Sequence, residues 1–149
     1  MAAVVAITAD RRQLAKRLWR ATAADGTEFG FELSSPLAHG DTVYLTGVTR
    51  YVIQQELEPV LAISLPNDPA AAAIIGWAVG NLHFPIEAQP QRLLAPDDVA
   101  LRQSLERIGI GYQLITAVFC PHRLAAGAAP HSHTASREEH PFVFRPRSV

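Results

Sequence analysis

The chain is poor in charge and nearly free of cysteine. Only 18% of its 149 residues are charged, against about 25% in typical globular domains. Thirteen Lys and Arg face fourteen Asp and Glu, a net charge of -1. No broad basic field is available to neutralise phosphates, so nucleic acid is not an expected partner. The single cysteine, Cys120, excludes an internal disulfide framework and any zinc site built from cysteines alone. No long hydrophobic run is present either. The longest, Ala70 to Val79, is interrupted by Gly76 and falls short of the roughly 20 residues that span a bilayer. The N-terminal stretch carries its arginines after the apolar residues, the reverse of a signal peptide. A cytoplasmic protein with a reduced thiol, away from membranes, is the expectation.

Enzyme signatures are also missing. There is no Gly-rich phosphate loop, no G-x-S-x-G elbow and no H-E-x-x-H pair. Ser34 and Ser35 have no base nearby in sequence. Cys120-Pro121-His122 sets a thiol two residues from an imidazole, but the proline between them argues against a facing nucleophile–base pair. Cys120 reads first as a small apolar residue at a strand end and second as a metal contact.

What is present is a 48% hydrophobic chain with enough apolar mass for a core. Its punctuation implies an α+β protein. Residues 1–57 read as a small all-β domain of sandwich or barrel type. Trp19, Ala21 and Ala23 alternate with polar residues, Asp25-Gly26 marks a hairpin turn, and Glu28 to Leu33 alternates again. Further short strands are expected over Thr42–Leu45 and Arg50–Gln54, with a turn at His39-Gly40-Asp41. Residues 58–124 follow a β-α-β-β-α-β order, that of a ferredoxin-like domain. Its elements are a strand over Val60–Leu65, a helix over Ala70–Val79 capped by Asp68 and stopped by Gly80, strands over Phe84–Gln89 and Gln91–Ala95, a helix opened by Pro96-Asp97-Asp98 with Leu101, Leu105 and Ile108 on its apolar face, and a strand over Tyr112–Phe119. Residues 125–149, rich in Ala, Gly, Pro, His and Ser, read as a flexible tail.

Six histidines remain to be placed. His131 and His133, two apart in the tail, can chelate one borderline metal when the backbone bends, with Glu138, Glu139 and His140 as nearby donors. Neutral imidazole suits zinc, copper and nickel alike. His39 reads as a solvated turn residue. His83 stands at a helix-to-strand corner, where an ordinary hydrogen-bonded histidine is the default.

The segment Gly80-Asn81-Leu82-His83-Phe84-Pro85 resembles the Gly-Asn-x-His-x-Pro motif of the UreE family of urease accessory proteins, which are nickel metallochaperones. The surroundings agree in order. Arg17 to Leu33 with Gly40-Asp41 resembles the family's N-terminal β domain, Glu58-Pro59-Val60-Leu61 the entry to its C-terminal domain, Asp97-Asp98-Val99 and Leu101 to Gly109 its second helix, and Phe119-Cys120-Pro121 with the Gly127 region its last strand and the start of its tail. The likeness covers residues 10–133. It implies a non-enzymatic carrier that delivers nickel for urease assembly. It also implies a homodimer joined through the ferredoxin-like domains, one nickel shared by His83 of both subunits, and outer ligands from His131 and His133. Zinc or copper would also be accepted in vitro. The implied partners are the urease-maturation GTPase and the urease apoprotein complex. The alternative is a peptide-binding adaptor in the same assembly, with incidental metal. Three departures from the family pattern stand out. Gln91 to Pro96 lacks a His-x-His pair, which removes a second metal site; the tail has too few histidines for bulk nickel storage; and His122 occupies a place where an acidic residue is expected.

Overall fold

A computed structural model describes residues 2–122. The tail expected over 125–149 lies outside the described residues. The described chain forms two compact units, one ending at Glu56 and one beginning at Leu57.

The first unit contains β1 (Ala3–Ala9), α1 (Arg11–Leu14), β2 (Leu18–Thr22), β3 (Glu28–Glu32), β4 (Thr42–Leu45) and β5 (Thr49–Gln55). β2 and β3 form the hairpin that Asp25-Gly26 predicts, with Gly26 at φ 88° in the turn. Such a φ is open to glycine at little steric cost. The Asp25 carboxylate accepts the Thr27 amide at 3.0 Å and the Tyr51 hydroxyl at 2.8 Å. These bonds hold its pKa below the ordinary value, the Thr27 amide contributing most. The second sheet has the order β1-β5-β4. Ile7, Ile53, Trp19, Phe29, Phe31 and Tyr51 form one core between the two sheets. Phe31 sits 4.5 Å from Trp19 between ring centroids, and Phe29 sits 5.0 Å from Tyr51.

Two features depart from the all-β expectation. A single helical turn, α1, interrupts the strands, closed by a reciprocal capping box between Asp10 and Gln13. Four residues are too few to show an apolar period. In addition, β1 pairs with β5 in parallel across most of the unit. Turn residues report hairpins but carry no signal for a pairing of that sequence separation. The result is two small sheets around a shared core, with no closed barrel among the described residues.

The second unit contains β6 (Glu58–Ser64), α2 (Pro69–Gly80), β7 (Glu87–Gln89), β8 (Arg92–Pro96), α3 (Val99–Arg107) and β9 (Gln113–Ala117). Its sheet runs β7-β8-β6-β9, every neighbour antiparallel. This is the ferredoxin-like arrangement expected. Val60 to Ile63 on central β6 are all buried, Leu61 and Ile63 in one cluster and Val60 and Ala62 in another. Leu61, Ile63, Leu93 and Ala95 pack with Val79, Leu101 and Leu105 from the helices. Val60, Ala62, Leu94 and Phe119 form a second cluster. Asp68 and Asp98 cap α2 and α3 by accepting amides of their first turns.

The boundaries shift in four places. Gly80 is the last residue of α2 and Asn81 is its cap. Phe84 to Ile86 precede the paired strand, since β7 begins at Glu87. Ile108 is the cap of α3 and is 45% exposed, so the apolar face ends at Leu105; Gly109 then turns the chain at φ 73°. β9 stops at Ala117, and Phe119 is fully buried beyond its end. Removing that ring leaves a void in the smaller cluster. Phe119→Ala is expected to lower stability by about 3–5 kcal/mol, measured by urea unfolding of the intact chain.

Candidate metal centre

The end of α2 determines where His83 goes. The Asn81 amide donates to the Trp77 carbonyl at 3.1 Å, a helical i−4 bond. The Leu82 and His83 amides then donate three residues back, to Val79 and Gly80 at 3.0 and 3.1 Å. This tightening closes the helix. His83 follows with φ 60°, the only non-glycine among the described residues with positive φ. Histidine tolerates this region better than most side chains. The conformation is nonetheless strained by roughly 1–3 kcal/mol, and it persists only where its surroundings impose it. Here they do. Leu82 and Phe84 both pack against the core of the second unit, while His83 between them is exposed. Two apolar anchors and one left-handed residue turn the imidazole outward.

A single imidazole does not make a metal site. Among the described residues, no three His, Cys, Asp or Glu side chains come together as a candidate site.

The neighbouring surface is unusual for a helix beside water. From Pro69 to Leu82 no residue is charged. Val79 is the only fully buried position of α2. Ala70, Ala73, Ile74, Trp77 and Gly80 are exposed at helical spacing, with Ile74 at 65% and Trp77 at 70%. An exposed apolar stripe of this kind is a recognised mark of an interaction surface. The sequence held the signal in the missing charges between Pro69 and Leu82.

The other candidates separate. His131 and His133, with Glu138, Glu139 and His140, lie outside the described residues. His39, expected to be solvated, is exposed but not idle: its Nδ1 accepts the Gln55 amide at 3.1 Å. That tautomer places the ring proton on Nε2 and leaves no lone pair for a metal. His122 is tied beside β7, its amide donating to the Ile86 carbonyl at 2.9 Å and its Nε2 lying 3.4 Å from the Ala88 carbonyl. Cys120 departs from its reading as a small apolar strand residue. It is exposed, past the end of β9, and its amide donates to Glu87 Oε2 at 2.7 Å. Partial desolvation raises its thiol pKa, and Glu87 and Glu58 add to the rise. Without a metal beside it, the group favours the protonated thiol form.

A family profile described as UreE urease accessory protein, C-terminal domain, matches residues 58–143. The chain belongs to the UreE family of urease accessory proteins. The family consists of nickel metallochaperones of urease maturation, which carry metal and catalyse nothing. The chain is 30% identical over 142 residues to the urease accessory protein UreE of Pseudomonas putida (strain W619), covering 94% of this chain and 88% of that protein. The corresponding protein of Deinococcus radiodurans is 33% identical over 112 residues, 74% of this chain and 70% of that one. That of Lysinibacillus sphaericus (strain C3-41) is 29% identical over 103 residues, 68% and 69% of the two. No helix among the described residues is long and apolar enough to cross a membrane.

The raised thiol pKa has a kinetic consequence. Since the thiolate is the nucleophile, iodoacetamide is expected to alkylate Cys120 slowly at pH 7 and faster only as pH climbs past the ordinary cysteine range. Glu87→Gln should move that rise to lower pH. An unchanged pH–rate profile would remove Glu87 as a cause.

Proposed function

We propose that this protein carries nickel on a site centred on His83 and shared by two copies of the chain. The observation that carries this reading is the extruded, left-handed His83 at the end of a helix whose outer face is apolar and exposed. In a two-fold dimer a surface patch meets its own copy. Burying the Ile74 and Trp77 stripe against its symmetry mate, with the two-fold axis at the C-terminal end of α2, would bring the two imidazoles together. Two nitrogen ligands leave the metal's coordination open. His131 and His133 of the tail then complete it and let go, which suits transfer, whereas a closed set of protein ligands suits retention.

The division of labour follows from this. Residues 58–124 bind metal and dimerise, residues 1–57 engage protein partners, and residues 125–149 supply the outer ligands. The family's place in urease maturation supports the urease-maturation GTPase and the urease apoprotein complex as recipients, in the cytoplasm. Imidazole donors do not by themselves select nickel, and the general affinity order places copper above it. Zinc and copper therefore bind in vitro, and selectivity comes from geometry and supply.

The tests separate ligand from interface. His83→Ala is expected to weaken nickel binding by at least the roughly 10–100-fold that loss of even an outer-shell group causes, read by isothermal titration. His83→Gly, which relieves the left-handed backbone, should lose nickel equally while keeping full stability. If both bind nickel as the parent does, His83 is not the ligand. Trp77→Glu should convert the dimer to a monomer in light scattering, and a dimer that persists would remove the α2 face as its interface.

A further inference from the structure

The β1-β5-β4 sheet of the first unit presents a second unexplained surface. One face packs on the core through Ile7, Ala9, Tyr51 and Ile53. On the opposite face Val4, Thr8, Arg50 and Gln54 are exposed among the described residues. The pairing register sets Val4 beside Arg50 on one side and Leu45 beside Arg50 on the other, so the three residues form one row across the sheet. Val4 is 66% exposed and Leu45 62%; Val48, one residue before β5, is 74% exposed. The register slip between Thr42 and Tyr44 helps build this row. It directs Val43 and Tyr44 to the core and leaves Thr42 and Leu45 outside, as a bulge does when it re-aims side chains.

Arg50 is the only charged residue in the three strands. Its Nε donates to Thr42 Oγ1 at 2.7 Å, which lays the side chain across the face. No carboxylate pairs with it among the described residues. The terminal Nη atoms keep their donors, and a guanidinium presents those in a fork that matches a carboxylate. Fixing the fork in advance reduces the entropy lost when a partner binds.

We infer that this face docks an extended segment of a protein partner that carries an aspartate or glutamate flanked by apolar side chains. A cation with no carboxylate beside it among the described residues calls for an anion, and the exposed Val4, Leu45 and Val48 around it call for apolar neighbours on the same ligand. A nucleic acid is excluded by the lack of further cations on the sheet. The inference rests on the proposal that residues 1–57 engage protein partners, and it adds the chemistry of the segment recognised.

The probe is the synthetic peptide acetyl-Ser-Leu-Val-Glu-Val-Leu-Ser-amide, added to the full-length, isotope-labelled protein and followed by amide chemical shifts. Shifts confined to β1, β4, β5 and Val48 are expected, with affinity reduced roughly tenfold or more when the peptide glutamate is replaced by glutamine, since charge-assisted hydrogen bonds are about twice as strong as neutral ones. That comparison leaves the protein untouched. Arg50→Gln should produce the same loss with the parent peptide, and Leu45→Ser a smaller one. Equal binding of the two peptides, shifts elsewhere, or no shifts at all would overturn the inference. Nickel titration of Arg50→Gln is expected to match the parent. A failure of the nickel reading would show in His83→Ala and not here.

Discussion

The arrangement around His83 depends on the packing of Leu82 and Phe84 against the core of the second unit. With both neighbours held by packing, the residue between them cannot relax to an extended conformation, and the strain of its left-handed backbone is borne by the burial on either side. The tightened last turn of α2 and Pro85 after Phe84 restrict the chain further, since a residue before proline is biased away from helix. The motif Gly80-Asn81-Leu82-His83-Phe84-Pro85 is therefore a mechanical unit: a helix end, an anchor, a displayed ligand, a second anchor and a stop.

That unit would be of little use on a charged helix. α2 has no charge to solvate its outer face, and its core contribution is reduced to one fully buried residue, Val79. A helix that stabilises its own fold this weakly, yet keeps Ile74 and Trp77 in water, is organised for a second surface. The same logic operates at the other end of the chain on a smaller scale. There a sheet with a single charge holds that charge flat across three exposed apolar residues. In both units the scarcity of charge noted in the composition is concentrated where contact with another molecule is inferred.

Much of this was legible in the residues. The capping aspartates Asp68 and Asp98, the Asp25-Gly26 hairpin and the order of strands and helices over residues 58–117 follow from local rules, and the structure keeps all of them. The motif around His83 identified the family, and the relatives agree. What stayed hidden had non-local causes. The parallel pairing of β1 with β5 joins segments that no turn connects. The single-turn α1 is too short to show a period. Ile108 has the spacing of an apolar helix face but falls on the cap. The partner of His39 is a backbone amide sixteen residues away on β5, and no pattern of side chains reports a bond to the main chain.

The sequence by itself determined the family, the α+β class, the boundaries of α2 and α3 to within a few residues, and which histidine stands in the motif, because these rest on short-range chemistry: capping, turns and residue order. Only the tertiary structure decided that His83 is displayed and not buried, that Trp77 and Ile74 face outward, and that Arg50 lies among apolar neighbours with no carboxylate beside it among the described residues. Each of these depends on which face of an element meets the core, and an apolar residue has the same identity whether it is buried in its own fold or left exposed for a partner.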